Sequence, residues 1–238
     1  MLIHLNPPRR AGFAAAYKAI AWADIPSLLV GLLALCGAIV IAPAADADNG
    51  PPASSVVSSA DTDAAAQIAG QVCSNCHGPG GHSQSPLFPQ LAGQQELYLA
   101  AQIRAFQNKT RGDPEAHNYM WGMATLISEP MVDALAEFYS RQPPPPGKTG
   151  NPGLVEKGKV LFEQGVPERG IAACASCHGS DAGGRSIFPR LAGQHAPYLV
   201  RQLEVIQAQL RKSPIMHGII RDLKPDEIKA VAEYLQSK

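Results

Sequence analysis

One five-residue stretch occurs twice in this chain and limits what it can fold around. Cys73-Ser74-Asn75-Cys76-His77 and Cys174-Ala175-Ser176-Cys177-His178 both read C-x-x-C-H. That spacing is the attachment pattern for a c-type haem. Two thiols one helical turn apart each form a thioether to a haem vinyl group. The histidine next to them is held beneath the ring, with a nitrogen aimed at the iron. A single copy has other readings, a redox dithiol or half of a zinc site. Two copies, each followed by the same downstream block, favour two haems. No βαβ pattern surrounds either pair, which argues against a thioredoxin-like dithiol.

The downstream block divides the chain. Phe88-Pro89-Gln90-Leu91-Ala92-Gly93-Gln94 returns as Phe188-Pro189-Arg190-Leu191-Ala192-Gly193-Gln194, Tyr98-Leu99 as Tyr198-Leu199, and Gln102 as Gln202, all at an offset of 100. Between the repeats lies Gln142-Pro143-Pro144-Pro145-Pro146-Gly147, which reads as a semi-rigid spacer. The expected domains are 61–142 and 151–238, joined by a linker at 143–150. Each is under 100 residues, and only 6% of the chain is aromatic, so each core is thin. A covalent macrocycle would staple both halves.

The fold class expected is all-α, two tandem domains each wrapped around one covalent haem. Apolar residues recur at helical spacing over 94–107, with Leu97, Ala101 and Phe106, and over 194–210, with Leu199, Leu203, Ile206 and Leu210. The last helix of each half carries stripes at Val132, Leu135, Ala136 and Tyr139, and at Ile228, Val231, Ala232 and Leu235. Ser128 is the expected N-cap of the first of these, followed by Glu129 and Pro130. Asp61 or Asp63 is the expected cap of an alanine-rich helix leading into Cys73.

Residues 1–47 read as a leader. Arg9 and Arg10 precede an uncharged apolar run at 27–42, and small residues come after it. These are the parts of a secretory signal peptide. The run is 16 residues long, just short of a membrane span, so an uncleaved anchor around 25–45 is the alternative. Cys36, in the middle of the run, reads as a small apolar filler. Export puts the paired cysteines in an oxidising compartment. Residues 46–63 are small, polar and proline-containing, and read as disordered or as a tether. The flexible spacer proper is placed at 48–60.

A haem iron with one histidine keeps an open face. Methionine there makes an electron-transfer site, while an empty face makes a catalytic one. Beyond the leader the methionines are Met120, Met123, Met131 and Met216. Met216 stands alone in the second half. Aligning the last helices gives an offset of 96, which sets Met216 on Met120 and leaves the first half four residues longer near 109–118. Met120 is therefore preferred, with Met123 next. His117 reads as an exposed loop residue, Met131 as core, and His82, His195 and His217 as surface residues. Pro89 and Pro189 each sit where a backbone carbonyl would accept the proximal histidine's Nδ1–H and fix the ring, or where a proline simply makes a turn.

Charge is asymmetric. Residues 46–142 carry 4 basic and 10 acidic residues, net −6, while 143–238 carry 13 basic and 9 acidic, net +4. The halves are thus expected to dock different protein partners. The formal charge of the whole chain is zero, and nothing points to nucleic acid.

The two C-x-x-C-H sites, the doubled FPxLAGQ block and the late methionines resemble the dihaem cytochrome c4 family, from about residue 61 to 238. The resemblance implies two class I cytochrome c folds packed about a pseudo-twofold axis, and two covalently attached haem c groups. It implies thioethers from Cys73, Cys76, Cys174 and Cys177, and proximal ligands His77 and His178. It further implies distal ligands Met120 and Met216, and orienting carbonyls at Pro89 and Pro189. The implied role is periplasmic transfer of single electrons from a quinol-oxidising cytochrome bc-type complex to a terminal oxidase, with no substrate chemistry of its own. The alternatives are an electron-accepting subunit of a periplasmic dehydrogenase and, against the two methionines, a dihaem peroxidase.

Overall fold

The structure, a computed structural model, describes residues 57–238. The leader, its alternative as an anchor, Cys36 and most of the expected spacer lie outside those residues. Helix α1 begins at Ser59, so 59–63, expected to be disordered, is helical. The cap is neither Asp61 nor Asp63. Ser58 accepts from the Asp61 amide at 3.2 Å, and the Asp61 carboxylate accepts from the Ser58 amide at 3.3 Å. This reciprocal box satisfies two orphan donors and contributes about 1 kcal/mol.

Both halves are helical. The first contains α1 (Ser59–Ile68), α2 (Ser74–His77), α3 (Glu96–Gln107), α4 (Trp121–Ala124) and α5 (Glu129–Ser140). The second contains α6 (Pro152–Gln164), α7 (Ala175–His178), α8 (Ala196–Gln207), α9 (Pro214–Ile220) and α10 (Pro225–Ser237). Among the described residues there is no strand, only isolated bridges, one of which pairs Arg111 with Arg211. Ser128 stands at the N-cap of α5, but its hydroxyl makes no capping bond. Asn151 caps α6 by accepting from the Leu154 amide at 3.2 Å.

The apolar stripes read from the sequence meet in two cores. Leu99, Ala100, Val132, Leu135 and Ala136 close the first against Ala65 of α1. Leu161, Phe162, Leu199, Ile206, Ile228 and Val231 form the second. Each fully buried side chain of that size contributes roughly 1.5–3 kcal/mol.

Side-chain bonds show where the halves differ in length. Gln107 Nε2 donates to the carbonyls of Ala124 (3.2 Å) and Ile127 (2.7 Å). Gln207 Nε2 does the same to Ile220 (2.7 Å) and Leu223 (3.0 Å). The donors are 100 residues apart and the acceptors 96. Because Arg111 still pairs with Arg211 and Met120 lies 96 residues before Met216, the four extra residues fall within 112–119.

The proline segment differs from the expected spacer. It runs against both LAGQ turns. A Cβ on Gly93 (φ +65°) would lie 2.8 Å from Pro144, and one on Gly193 (φ +74°) 2.6 Å from the Pro145 carbonyl. Only glycine satisfies both the left-handed turn and the close approach. Pro145 is buried, and Lys148 donates its amide to Gln236 at 2.8 Å. Stiff polyproline thus packs along the junction of the halves.

Candidate haem sites

In each C-x-x-C-H stretch the first cysteine is the N-cap of a short helix that carries the second cysteine and the histidine. In the first half a single π-helical turn, Ala69–Cys73, delivers Cys73 into α2. A second π turn, Ala116–Met120, ends on Met120. Such turns insert one residue into a helix and rotate the next side chains to a new direction, and they occur often at functional sites.

His77 Nδ1 lies 3.0 Å from the Pro89 carbonyl, and His178 Nδ1 lies 2.9 Å from the Pro189 carbonyl. A carbonyl only accepts, so Nδ1 carries the proton and Nε2 holds the free lone pair. Burial pushes both histidines below their ordinary range, with the carbonyl bond opposing it. They are therefore neutral, as iron ligation requires. His178 Nε2 is buried with no hydrogen-bond partner. An orphaned ring nitrogen facing a cavity fits a metal ligand, and so the residues present fit haem.

The cavities show which side chains come together. One, of about 180 Å³, is lined by Cys73, His77, Phe88, Leu99 and Met120. The other, of about 280 Å³, is lined by Cys174, Cys177, His178, Ile206 and Met216. Met123 is 40% exposed and lines neither. His117 is exposed, stacked edge-on against Trp121 with ring centroids 4.8 Å apart.

The first thiol of each pair is shifted away from what a redox pair needs. Burial raises the Cys73 thiol and pushes Cys174 up to about 11. A dithiol catalyst needs the opposite shift on its attacking sulfur. Among the described residues no three His, Cys, Asp or Glu side chains converge as a zinc site requires. The cavities are not equivalent either. Tyr139 lines the first with its hydroxyl beside the Cys73 thiol, and its counterpart at the 96-residue offset is Leu235.

Among curated proteins, the chain is 39% identical to cytochrome c4 of Thiocapsa roseopersicina over 182 residues, covering 74% of this chain and 92% of that one. It belongs to the cytochrome c4 family. Cytochrome c-552 of Acidithiobacillus ferridurans is 37% identical over 78% of this chain and 81% of its own. The family model for cytochrome c matches residues 155–238. The solved cytochrome c4 of Acidithiobacillus ferrooxidans superposes with a TM-score of 0.66 at 37% identity, covering 70% of this chain and 98% of that one. Cytochrome c4 of Pseudomonas stutzeri gives 0.67 at 32%, covering 74% and 97%. As a cytochrome c4 the chain carries two covalently bound haem c groups and transfers electrons.

Two groups of residues were missed by sequence reasoning. The first is a buried polar cluster bordering both haem cavities. Gln102 Oε1 accepts from Arg111 Nη1 (3.1 Å) and Arg211 Nη2 (3.0 Å), and Gln202 Oε1 accepts from Arg111 Nη2 (2.9 Å) and Arg211 Nη1 (2.6 Å). Asp113, fully buried, receives Arg111 Nε at 3.1 Å. Two guanidiniums against one carboxylate leave net positive charge bordering both cavities. The available signal was the constant 100-residue spacing of Tyr98/Tyr198, Gln102/Gln202 and Arg111/Arg211.

The second is His195, expected at the surface but 4% exposed. Its Nε2 sits 3.1 Å from the Ser83 carbonyl and 3.2 Å from Gln90 Nε2, both in the other half. No local pattern could show partners more than 100 residues away. Burial, with Lys148 and Arg201 nearby, pushes its pKa down. The unfolded chain then binds the proton more tightly than the folded one, so stability is full above about pH 6.5 and falls as pH drops below it. His195→Gln should flatten that part of the stability–pH curve, read from thermal melts between pH 5 and 8. An unchanged slope would assign it elsewhere.

Proposed function

We propose that His77 and Met120 hold one haem iron and His178 and Met216 the other, with thioethers from Cys73, Cys76, Cys174 and Cys177. The observation that supports this most directly is that each cavity gathers one C-x-x-C-H histidine and one late methionine. Haem iron supplies a reversible one-electron change, and a histidine–methionine pair favours transfer over ligand binding. The Pro89 and Pro189 carbonyls fix the ring planes. Apolar side chains such as Leu99, Phe106 and Leu135 in the first cavity and Ile187, Ile206 and Ile219 in the second supply most of the lining. In this reading the domains are 61–142 and 151–238.

The chain passes single electrons in the periplasm, from a quinol-oxidising cytochrome bc-type complex or another donor to a terminal oxidase. The net −6 first half and net +4 second half (residues 46–142 and 143–238) offer opposite charge to two partners. A second reading rests on one finding. The thiosulfate dehydrogenase electron acceptor of Thiomonas intermedia is 34% identical over 173 residues, 70% of this chain and 78% of that one. On that reading the donor is a periplasmic dehydrogenase. Among the described residues no helix is long and apolar enough to cross a membrane; the attachment proposed from the sequence is through 25–45.

The optical spectrum tests the ligands. The oxidised protein should show the weak near-infrared iron–methionine band at a strength for two haems. Met120→Leu should remove half of it and keep both haems, and Met123→Leu should leave it intact. A half-strength band in the parent protein, or loss of the band on changing Met123, would overturn the assignment. Stopped-flow mixing with a reduced bc-type complex and with a reduced dehydrogenase separates the two donors.

A further inference from the structure

The doubled Gln94/Gln194 does more than end a turn. Gln194 Oε1 accepts from the Gln90 amide at 2.9 Å, and its Nε2 donates to the Gln90 carbonyl at 3.1 Å. Gln94 does the same to Arg190, at 2.7 and 2.9 Å. Both glutamines are buried. The clasp is crossed, each half gripping the other.

The peptide being gripped decides what this means. The Gln90 amide belongs to the same peptide unit as the Pro89 carbonyl, the one that accepts from His77 Nδ1. The Arg190 amide likewise shares its unit with the Pro189 carbonyl, which accepts from His178 Nδ1. A hydrogen bond donated by a peptide N–H polarises the unit and makes its carbonyl a stronger acceptor. A stronger acceptor on Nδ1–H makes the imidazole a more basic ligand. A more basic ligand favours the oxidised iron.

We propose that Gln194 positions and tunes His77, and that Gln94 positions and tunes His178, each across the junction of the halves. The chain from Gln194 Oε1 to His77 contains two hydrogen bonds and one peptide unit, and so does its twin. Each haem's potential is therefore set partly by the other half, and a shift of one half against the other changes both. This rests on His77 and His178 being the proximal ligands.

The test uses the full dihaem protein. Gln194→Met keeps the side chain's length and removes both bonds. Haem content, low-spin spectra and the two methionine bands are checked first. If these fail in the parent protein, the ligand assignment falls, and the clasp is a separate matter. The readout is the Nδ1–H proton resonance of each proximal histidine in the reduced, diamagnetic protein, together with a potentiometric titration. Gln194→Met should move the His77 resonance upfield and leave that of His178 in place. It should also raise the reduced-to-oxidised ratio of the first haem by about threefold at fixed ambient potential. Gln94→Met should do the reverse, acting on the second haem. Gln194→Glu keeps an oxygen on the Gln90 amide and should hold the His77 resonance at or beyond the parent value. That variant also serves if Gln194→Met fails to fold. Equal movement at both histidines, movement only at His178, or no movement in either variant would overturn the proposal.

Discussion

Replacing Cys174 and Cys177 together by alanine is expected to reduce haem to one per chain and to unfold the second half. Ile206 and Ile220 of the second core line a cavity of about 280 Å³ together with Cys174, His178 and Met216. At about 24 cal/mol per Å³, leaving that volume empty would cost at most about 7 kcal/mol. That is comparable to the whole stability of a small domain, about 5–15 kcal/mol. Helical content by circular dichroism should fall, and so should haem by pyridine haemochrome. The first half should suffer as well, because it shares Arg211, Gln202 and His195 with the second. A variant that keeps full helicity with one haem would show that protein packing alone supports the fold.

The second large effect concerns Arg111. It is 6% exposed and contacts Asp113, which is fully buried, as well as Gln102 and Gln202. Arg111→Met should destabilise by about 3–5 kcal/mol, because it strands a buried carboxylate. At this chain length that lowers Tm by about 10 °C. Adding Asp113→Asn should recover most of the loss, since the amide needs no counter-charge and its oxygen still accepts from the Ala116 amide. Equal melting of the single and double variants would mean that the glutamine bonds, not the ion pair, carry the effect. Asp113 has no twin, because its partner position at offset 100 is Ser213. The two haem environments thus differ in charge as well as at Tyr139 and Leu235.

Much of the fold is legible in the sequence because its causes are local. Helix stripes, the histidine beside its cysteines and the methionine offset all depend on residues within a few turns of one another, or on matching two copies of one pattern. Where local reasoning fails, the cause is a competing local choice or a distant partner. Asp61 reads as a cap but is the third helical residue of a box that Ser58 opens one turn earlier. His195 reads as a surface residue because its partners, Ser83 and Gln90, precede it by 112 and 105 residues. The proline segment reads as a spacer because composition reports stiffness and not contact. Its place against Gly93 and Gly193 comes from where the two turns meet.

Sequence alone points to two haem sites, marks the cysteines that match the family's thioether pattern, and gives each half its helical periodicity. A covalent motif and a periodic stripe specify themselves within one segment. The crossed junction made by the repeated FPxLAGQ block belongs to the tertiary fold. Its hydrogen bonds join residues 96 and 104 positions apart, and no single copy of the motif contains both partners. The same holds for the arginine cluster. Its charge sits at one buried point where the two halves bring together Gln102, Gln202, the Tyr98 hydroxyl that accepts from Arg211, and Asp113.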